Sequence, residues 1–334
     1  MHRTEKGVAM TALDDQESEQ GLLFKVAQAY YLEGATQAEV GRRFGLSRIK
    51  VSRLLKKARD GKVVQITVTP PPGSLAAVEQ QLANHLGLDE LVVADLDVLD
   101  GGAVLAALGV AAAPVLLRHL GERTTLAVSW GATLAALVAA MPRRALSQAT
   151  VVQMLGGLGR VESEAQGADI ARRLAASLGA RCRMLASPGM VASKEIRDAL
   201  VSDPQIYDTL ALAASAQVAL VGIGVPSRHA ATLREGAILS STDLEELNRR
   251  GAVGDIALRY FDAAGRPVSA SLNTRIVGLE FEQICQIPCV IGVAGGMAKL
   301  AAIRGAVKGR LLNVLVTDVY VARRILEEVE RGQL

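Results

Sequence analysis

Cysteine is scarce in this chain. Cys182, Cys285 and Cys289 are three in 334 residues, an odd count that argues against a disulfide framework and for buried thiols in a reducing cytoplasm. Cys285 and Cys289 lie four residues apart with no second pair nearby, and His2, His85, His119 and His229 are scattered. A zinc centre needs converging ligands, so no metal site is expected. Also missing are a Gly-Lys-Ser/Thr phosphate loop and a G-x-G-x-x-G fingerprint, which removes the Walker and dinucleotide motifs and leaves no cofactor to expect. Long apolar runs are few. The stretches 101–117 and 124–141 are Ala-rich and interrupted by Gly, Pro114, Ser129 or Gly131. Each is at the short limit for a membrane span, so both read as buried parts of an α/β domain, without a membrane partner. The N-terminus is polar and acidic, unlike a signal peptide, which suits a cytoplasmic protein. No repeat of domain-building period is apparent.

What is present is a large apolar reserve and a local block of charge. Half the residues are hydrophobic and 21% are charged, enough for a sizeable core and about two domains by length. Residues 36–62 carry nine basic side chains against Glu39 and Asp60, a local charge of +7 in a chain whose net charge is only +3. That is the footprint of a polyanion partner on a minority of the chain.

The order of signals gives the organisation. Residues 1–18 lack apolar periodicity and read as a mobile tail. Leu22, Leu23, Val26, Ala29 and Tyr30 fall on one helical face, ended by Gly34. Thr36-Gln37-Ala38-Glu39 has the form of a capping box for a second helix, ended by Gly45. Ser47 suits the N-cap of a third, to about Ala58, and 63–68 alternate as a strand. Thr69-Pro70-Pro71-Pro72-Gly73-Ser74 cannot continue helix or sheet and reads as a linker. The expected division is therefore a domain at 19–68, a linker with a connecting helix at 69–89, and a second domain at 90–334. In the latter, short apolar runs (91–95, 125–130, 150–155, 182–186, 218–223, 256–261, 289–293, 312–317) alternate with helical patterns. This implies a doubly wound α/β domain with a largely parallel sheet.

Gly41, Gly45, Val51 and Leu54 have the spacing of a helix-turn-helix. Gly41 would let the second and third helices approach, Gly45 supply a positive φ in the turn, and Val51 and Leu54 fill the wedge. On the third helix, Val51, Leu54, Leu55 and Ala58 cluster on one side. Ile49, Ser52, Arg53, Lys56 and Lys57 lie opposite, with Arg48 and Lys50 at the edges. Long cations and small donors are what a duplex groove demands. Arg48, Ile49, Ser52 and Arg53, near the N-terminus, would reach deepest, and Ser47 sits where they begin. Ile49 would either meet a thymine methyl or pack inward on the first helix or the strand. Thr36 and Gln37 open the second helix, where free N–H groups can hold a phosphate, although Thr36 equally suits a plain cap. Lys56, Lys57, Arg59 and Lys62 would touch phosphates, contributing affinity without sequence reading.

Four glycine turns follow strand candidates: Ser129-Trp130-Gly131-Ala132-Thr133, Leu155-Gly156-Gly157-Leu158-Gly159, Gly222-Ile223-Gly224-Val225 and Ala294-Gly295-Gly296-Met297-Ala298-Lys299. In open α/β sheets ligands bind outside the carboxyl ends of the strands. Glycine there lets backbone N–H groups approach an anion, and Thr133 and Lys299 add a hydroxyl and a charge. A phosphate-bearing small molecule fits, and so does plain turn packing. Asp255 in Gly254-Asp255 would hold sugar hydroxyls or cap a turn. Asp318 suits the N-cap of a helix at 319–330, and Trp130 suits core packing better than ligand stacking.

Taken together, Leu46-Ser47-Arg48, Val51-Ser52-Arg53-Leu54-Leu55-Lys56-Lys57-Ala58, Trp130-Gly131-Ala132-Thr133, Val152-Gln153-Met154-Leu155-Gly156-Gly157, Val221-Gly222-Ile223-Gly224, Gly251-Ala252-Val253-Gly254-Asp255, Gly295-Gly296 with Lys299, and Leu315-Val316-Thr317-Asp318 resemble the SorC family of sugar-responsive bacterial transcriptional regulators, over about 20–330. The resemblance implies a C-terminal domain similar to sugar-phosphate isomerases and deaminases. It also implies a phosphorylated sugar as effector and a homo-oligomer, dimer or tetramer. Gly131, Thr133, Gly156, Gly157, Asp255 and Lys299 match effector-contact positions, with Thr133 and Lys299 on the phosphate and Asp255 on a hydroxyl. Gln153, Gly222, Gly224, Gly295 and Gly296 belong to the same blocks. Ser129 stands where the family often has Gly, and Val319 where an acidic residue is frequent. The expectation is a regulator on a pseudo-palindromic double-stranded operator. The alternative is a sugar-phosphate isomerase or deaminase, but Asp255 and Lys299 lack a His or Glu partner to complete acid–base catalysis, so no catalytic residues are assigned. An architectural DNA-binding protein with a vestigial pocket is a third reading.

Overall fold

The structure is a computed structural model that describes residues 20–65, 71, 74–96, 100–157, 161–226, 239–268 and 270–333. The expected tail at 1–18, the second half of the strand at 63–68 and most of the proline linker fall outside them. The chain divides into two compact units, Met1–Thr69 and Pro70–Leu334.

The first unit is a three-helix domain: α1 (20–31), α2 (Gln37–Phe44) and α3 (Arg48–Asp60). Thr36 and Glu39 close a reciprocal capping box at the start of α2. Ser47 caps α3 by accepting from the Lys50 N–H. Gly45 ends α2 at φ 66°, the left-handed conformation the turn requires. Leu23, Val26, Ala29, Val40, Val51, Leu54, Leu55 and Ala58 form the core, each large aliphatic contributing about 1.5–3 kcal/mol by burial. A Cβ on Gly41 would lie 2.6 Å from the Leu46 carbonyl oxygen and 3.9 Å from Val51 Cγ2. The glycine therefore admits the turn backbone first and α3 second. Residues 63–65 are not a strand. The Val64 N–H instead donates to the Ala58 carbonyl, folding the chain back over the end of α3.

The second unit begins with α4 (Leu75–Leu86), capped by Ser74, and continues β1 (Glu90–Ala94), α5 (Gly101–His119), β2 (Thr125–Val128), α6 (Ala132–Ala140), β3 (Thr150–Gln153), α7 (Val161–Leu178), β4 (Arg181–Arg183), α8 (Lys194–Val201), α9 (Pro204–Ala214) and β5 (Val218–Gly222). It ends with α10 (Ser241–Arg249), β6 (Ala252–Ile256), β7 (Arg259–Asp262), α11 (Ala270–Asn273), α12 (Phe281–Cys285), β8 (Cys289–Val293), a 3-10 turn (Met297–Lys299), α13 (Leu300–Lys308), β9 (Val314–Asp318) and α14 (Val319–Glu330). Seven strands form one parallel sheet in the order β1-β9-β8-β5-β2-β3-β4. Two apolar clusters flank it, one including Leu82, Ile303, Val321 and Ile325, the other Leu108, Leu116, Leu134, Leu137 and Leu174. From β2 the chain builds outward to β4; from β5 it builds the other way to β9. The neighbours β2 and β5 therefore mark the point where the winding reverses.

Three expectations are corrected. The single strand read at 256–261 is a two-stranded hairpin, β6–β7, turning through Ala257 (φ 51°) and Leu258 (φ 64°). Non-glycine residues at positive φ hid that turn from the sequence. The stretch 101–117 is not broken: α5 runs through Pro114. The thiols are not all buried. Cys182 and Cys285 are exposed and Cys289 is half-buried, because Cys182 lies on the edge strand β4 and Cys285 ends the short α12.

Candidate functional site

In the first unit the candidate surface is α3. Its inward residues fill the core, which forces Arg48, Ile49, Lys50, Ser52, Arg53, Lys56 and Lys57 into solvent. Ile49 is 69% exposed, so it does not pack on α1 or on the residues after α3. Arg48, Lys50, Arg53 and Lys56 have no ion-pair partner among the described residues. Arg43, by contrast, pairs with Glu33 and lies 5.5 Å over the Phe44 ring. Thr36, Gln37 and Arg48 share a cleft of about 600 Å³ with Tyr30 and Tyr31, which brings the start of α2 and the start of α3 to one place. The Thr36 backbone N–H and then its hydroxyl both donate to Glu39 Oε2 at 2.8 Å, and those hydrogen bonds hold the Glu39 carboxyl below its usual range. The surface is a set of uncommitted cations around an apolar tip, which suits a phosphate-lined groove.

In the second unit the strand ends meet at one edge of the sheet. Ser129 donates its N–H to Leu220, Met154 to Val128, and Ala294 to Val316, so the segments after β2, β3, β5, β8 and β9 are neighbours. Gly131 starts α6 at φ 140°, and no side chain caps that helix among the described residues. Its first-turn N–H groups therefore have no capping acceptor. Thr133 is buried in that first turn, and Gly222 faces open space. The Ser129 hydroxyl at the end of β2 and the Thr317 hydroxyl at the end of β9 are buried without a hydrogen-bond partner among the described residues.

Asp255 reaches this edge on the β6–β7 hairpin. The hairpin packs on α13, where a Cβ on Gly254 would lie 2.6 Å from Ala302 Cβ. Gly224 and Asp255 exchange backbone hydrogen bonds at 2.9 and 3.2 Å, and the Asp255 carboxylate stands where a Gly224 side chain would be. Burial pushes the Asp255 carboxyl up to about 6, opposed by the Leu258 N–H it accepts at 3.1 Å and by the Lys299 charge. Burial lowers the Lys299 ammonium while Asp255 raises it. A half-buried acid and a half-buried base, each acting on the other's charge without a direct ion pair among the described residues, thus lie near the switch point, an arrangement able to hold a hydroxyl and an anion together.

Asp318 fixes the loop that carries Lys299. One carboxylate oxygen accepts the Gly296 N–H at 2.6 Å, while the other caps α14 through Tyr320 and Val321. The cap was expected; the tie to Gly296 was not, though Gly295 and Gly296 before a charged turn could have suggested it. A Cβ on Gly295 would lie 2.5 Å from Asp318 Oδ2.

The remaining residues serve the frame. The Gly156 and Gly157 N–H groups donate to Val277 and Ser187, so neither amide is presented to a ligand, against the donor role expected of that turn. Gln153 accepts the Leu185 N–H at 2.9 Å. Trp130 packs against both apolar clusters and donates its Nε1–H to the Gly156 carbonyl at 3.2 Å, a packing role as expected. Among the described residues no group of His, Cys, Asp and Glu has metal-site geometry.

Known proteins resemble both units. Residues 71–327 match the family described as "Putative sugar-binding domain", and residues 25–60 match "Sigma-70, region 4". The transcriptional regulator LsrR of Enterobacter sp. (strain 638) is 33% identical over 312 residues, covering 92% of this chain and 94% of that protein. The sorbitol operon regulator of Klebsiella pneumoniae is 32% identical over 312 residues, covering 92% and 98%. The crystal structure of the full-length sorbitol operon regulator SorC from the same organism superposes with a TM-score of 0.71 at 32% identity, covering 91% of this chain and 98% of that one.

Proposed function

Because this chain belongs to the SorC family of transcriptional regulators, joining a helix-turn-helix to a sugar-binding domain, we propose that a small phosphorylated sugar sets its affinity for a pseudo-palindromic operator. The observation that carries the effector reading is the convergence of the segments after β2, β5 and β8, where Gly224 holds Asp255 by backbone hydrogen bonds, Asp318 ties the turn before Lys299, and α6 begins without a side-chain cap among the described residues. In this reading Thr133, the α6 N-terminus and Lys299 hold the phosphate, and Asp255 accepts from a sugar hydroxyl. Gly131, Gly222 and Gly296 keep the rim clear, while Gln153, Gly156, Gly157, Gly224 and Gly295 hold the frame.

On the DNA side, Arg48, Ile49, Ser52 and Arg53 read base edges. Lys50, Lys56 and Lys57 touch phosphates, with Thr36, Gln37 and Ser47 at the helix starts. Residues 19–68 then carry DNA reading, 69–89 link, and 90–334 sense and oligomerise, in a cytoplasmic protein. Two or more copies place α3 in successive major grooves, and effector binding biases their arrangement. The coupling is reciprocal, so operator DNA changes effector affinity by the same factor.

The test pairs two readouts on the full chain. Thermal unfolding is followed with a panel of sugar phosphates and their parent sugars. Operator binding, on a site selected from random DNA, is followed by anisotropy with the same compounds. A sugar phosphate should raise the melting temperature by linkage and shift operator affinity where its parent sugar does neither. An equal effect of the parent sugar would remove the phosphate from the reading.

A further inference from the structure

Helix α5 has an outer face that nothing in the described chain covers. Its inner face is fully used: Val104, Leu108, Ala112, Val115 and Leu116 are buried against the sheet. The helix is long and apolar enough to cross a membrane by length and composition, yet only 39% of its apolar window is buried. Because the inner face belongs to the core, the helix cannot leave for a bilayer. No charged residue occurs from Gly101 to Leu117, and α6 beside it carries none. The two helices touch closely at Gly109, where a Cβ would lie 2.5 Å from the Ala136 carbonyl oxygen, so their neutral surfaces are continuous.

The pattern on that face is symmetric. Ala103, Ala106, Val110 and Pro114 are exposed and Leu117 is half-buried, at spacings of 3, 4, 4 and 3. At about 100° per residue these five lie within an arc of about 80°. Val110, the midpoint of Gly101–His119, is 68% exposed. The spacings therefore read alike from either end, and the smaller side chains of the first half fall opposite the larger ones of the second. At the ends, Asp100 caps the N-terminus, and Arg118 at the C-terminus is paired with Glu90 of the same chain, so neither end leaves an uncompensated charge beside the apolar face. The helix dipoles lie in opposite directions when two such helices run antiparallel.

We propose that α5 is the two-fold contact between copies of this chain, pairing antiparallel with its own symmetry mate so that Val110 meets Val110 on the axis. Ala103 then faces Leu117 and Ala106 faces Pro114. A self-complementary patch is what an isologous interface requires. Small side chains let two helix axes approach to about 8 Å. This contact rests on the reading that more than one copy binds an operator, and names the face that joins them.

The test uses the full chain in two variants. Val110→Asp should halve the mass measured by light scattering, raising the dissociation constant about 100-fold by burying like charges on the axis, with its melting curve still cooperative. Val110→Cys, in a Cys182→Ser/Cys285→Ser background, should form an intermolecular disulfide with diamide as oxidant. An Ala106→Cys chain in the same background should not, since only an axial position lies close enough to its own mate. An unchanged oligomer mass in Val110→Asp, or equal cross-linking at 106 and 110, overturns the face and leaves the oligomeric reading standing. A wild-type chain that is monomeric at tens of micromolar overturns both.

Discussion

In the N-terminal unit Arg48, Lys50, Arg53 and Lys56 stand in solvent on one helix. In the C-terminal unit Thr133 is buried, Asp255 and Lys299 are half-buried, and the three come from distant segments. In the proposed reading, the first surface meets a partner that is itself a highly hydrated polyanion, so its cations gain by staying free, whereas the second distinguishes one small molecule, so its groups are held by burial and by neighbours such as Asp318. Removing a side chain from the first should cost binding alone. Removing an atom from the frame of the second should cost the fold.

The largest effect expected breaks that second half of the comparison. A Cβ on Gly156 would sit 2.5 Å from the Pro188 carbon and oxygen and from the Ser187 oxygen, all backbone atoms. Gly156→Ala should therefore destabilise the unit by about 3 kcal/mol, seen as a lower midpoint in denaturant. Gly222→Ala meets nothing within 4 Å, and should leave the midpoint within about 0.5 kcal/mol of wild type. Equal losses in the two would mean that the strand-end glycines share one packing role.

Next in size is a reciprocal pair. Lys299→Ala should leave operator binding intact and abolish the thermal shift with a sugar phosphate. Arg53→Ala should weaken specific operator binding by about 1–3 kcal/mol and leave the thermal shift intact. If Arg53→Ala loses as much on random DNA, Arg53 is a phosphate contact and not a reader.

Much of this contrast was legible in the sequence, and unevenly so. The exposed face of α3 follows from period 3.6 within thirteen residues, and the Thr36–Glu39 box and Ser47 cap are equally local. The glycine turns were visible as strand–glycine junctions. What each glycine does was not, because Gly156 is tight against Pro188, 32 residues on, while Gly222 is open. The β6–β7 hairpin escaped because Ala257 and Leu258 take a turn usually marked by glycine or asparagine. The approach of Asp255 to the turn before α13 depends on that hairpin lying on α13, a tertiary fact with no local signature.

A smaller effect sharpens the account of Asp255. Burial raises the Asp255 carboxyl from its ordinary 3.8 to about 6, so between those values the folded chain binds a proton that the unfolded chain has lost. The stability this contributes is present below pH 3.8 and disappears as pH rises through 6. Asp255→Asn removes the ionisation while leaving an oxygen to accept from Leu258. The melting temperature of Asp255→Asn minus that of wild type should therefore increase from pH 4 to pH 7, by about 4 °C. A difference that stays flat with pH would mean that Lys299 fully offsets the desolvation.

The smallest effect tests the free cations. Lys56 is exposed on the outer face of α3 and has no ion-pair partner among the described residues, so nothing in the unit depends on its charge. Lys56→Ala should not change the melting temperature. If Lys56 neutralises one phosphate, the slope of log affinity against log salt should fall in magnitude by about 1. The loss should be the same on the selected operator as on random DNA, because a phosphate contact carries no base identity. Arg53→Ala, measured in the same salt series, should instead separate the two DNAs. A Lys56→Ala chain that discriminates between them would place Lys56 at a base edge, and would extend the reading surface of α3 beyond its first two turns.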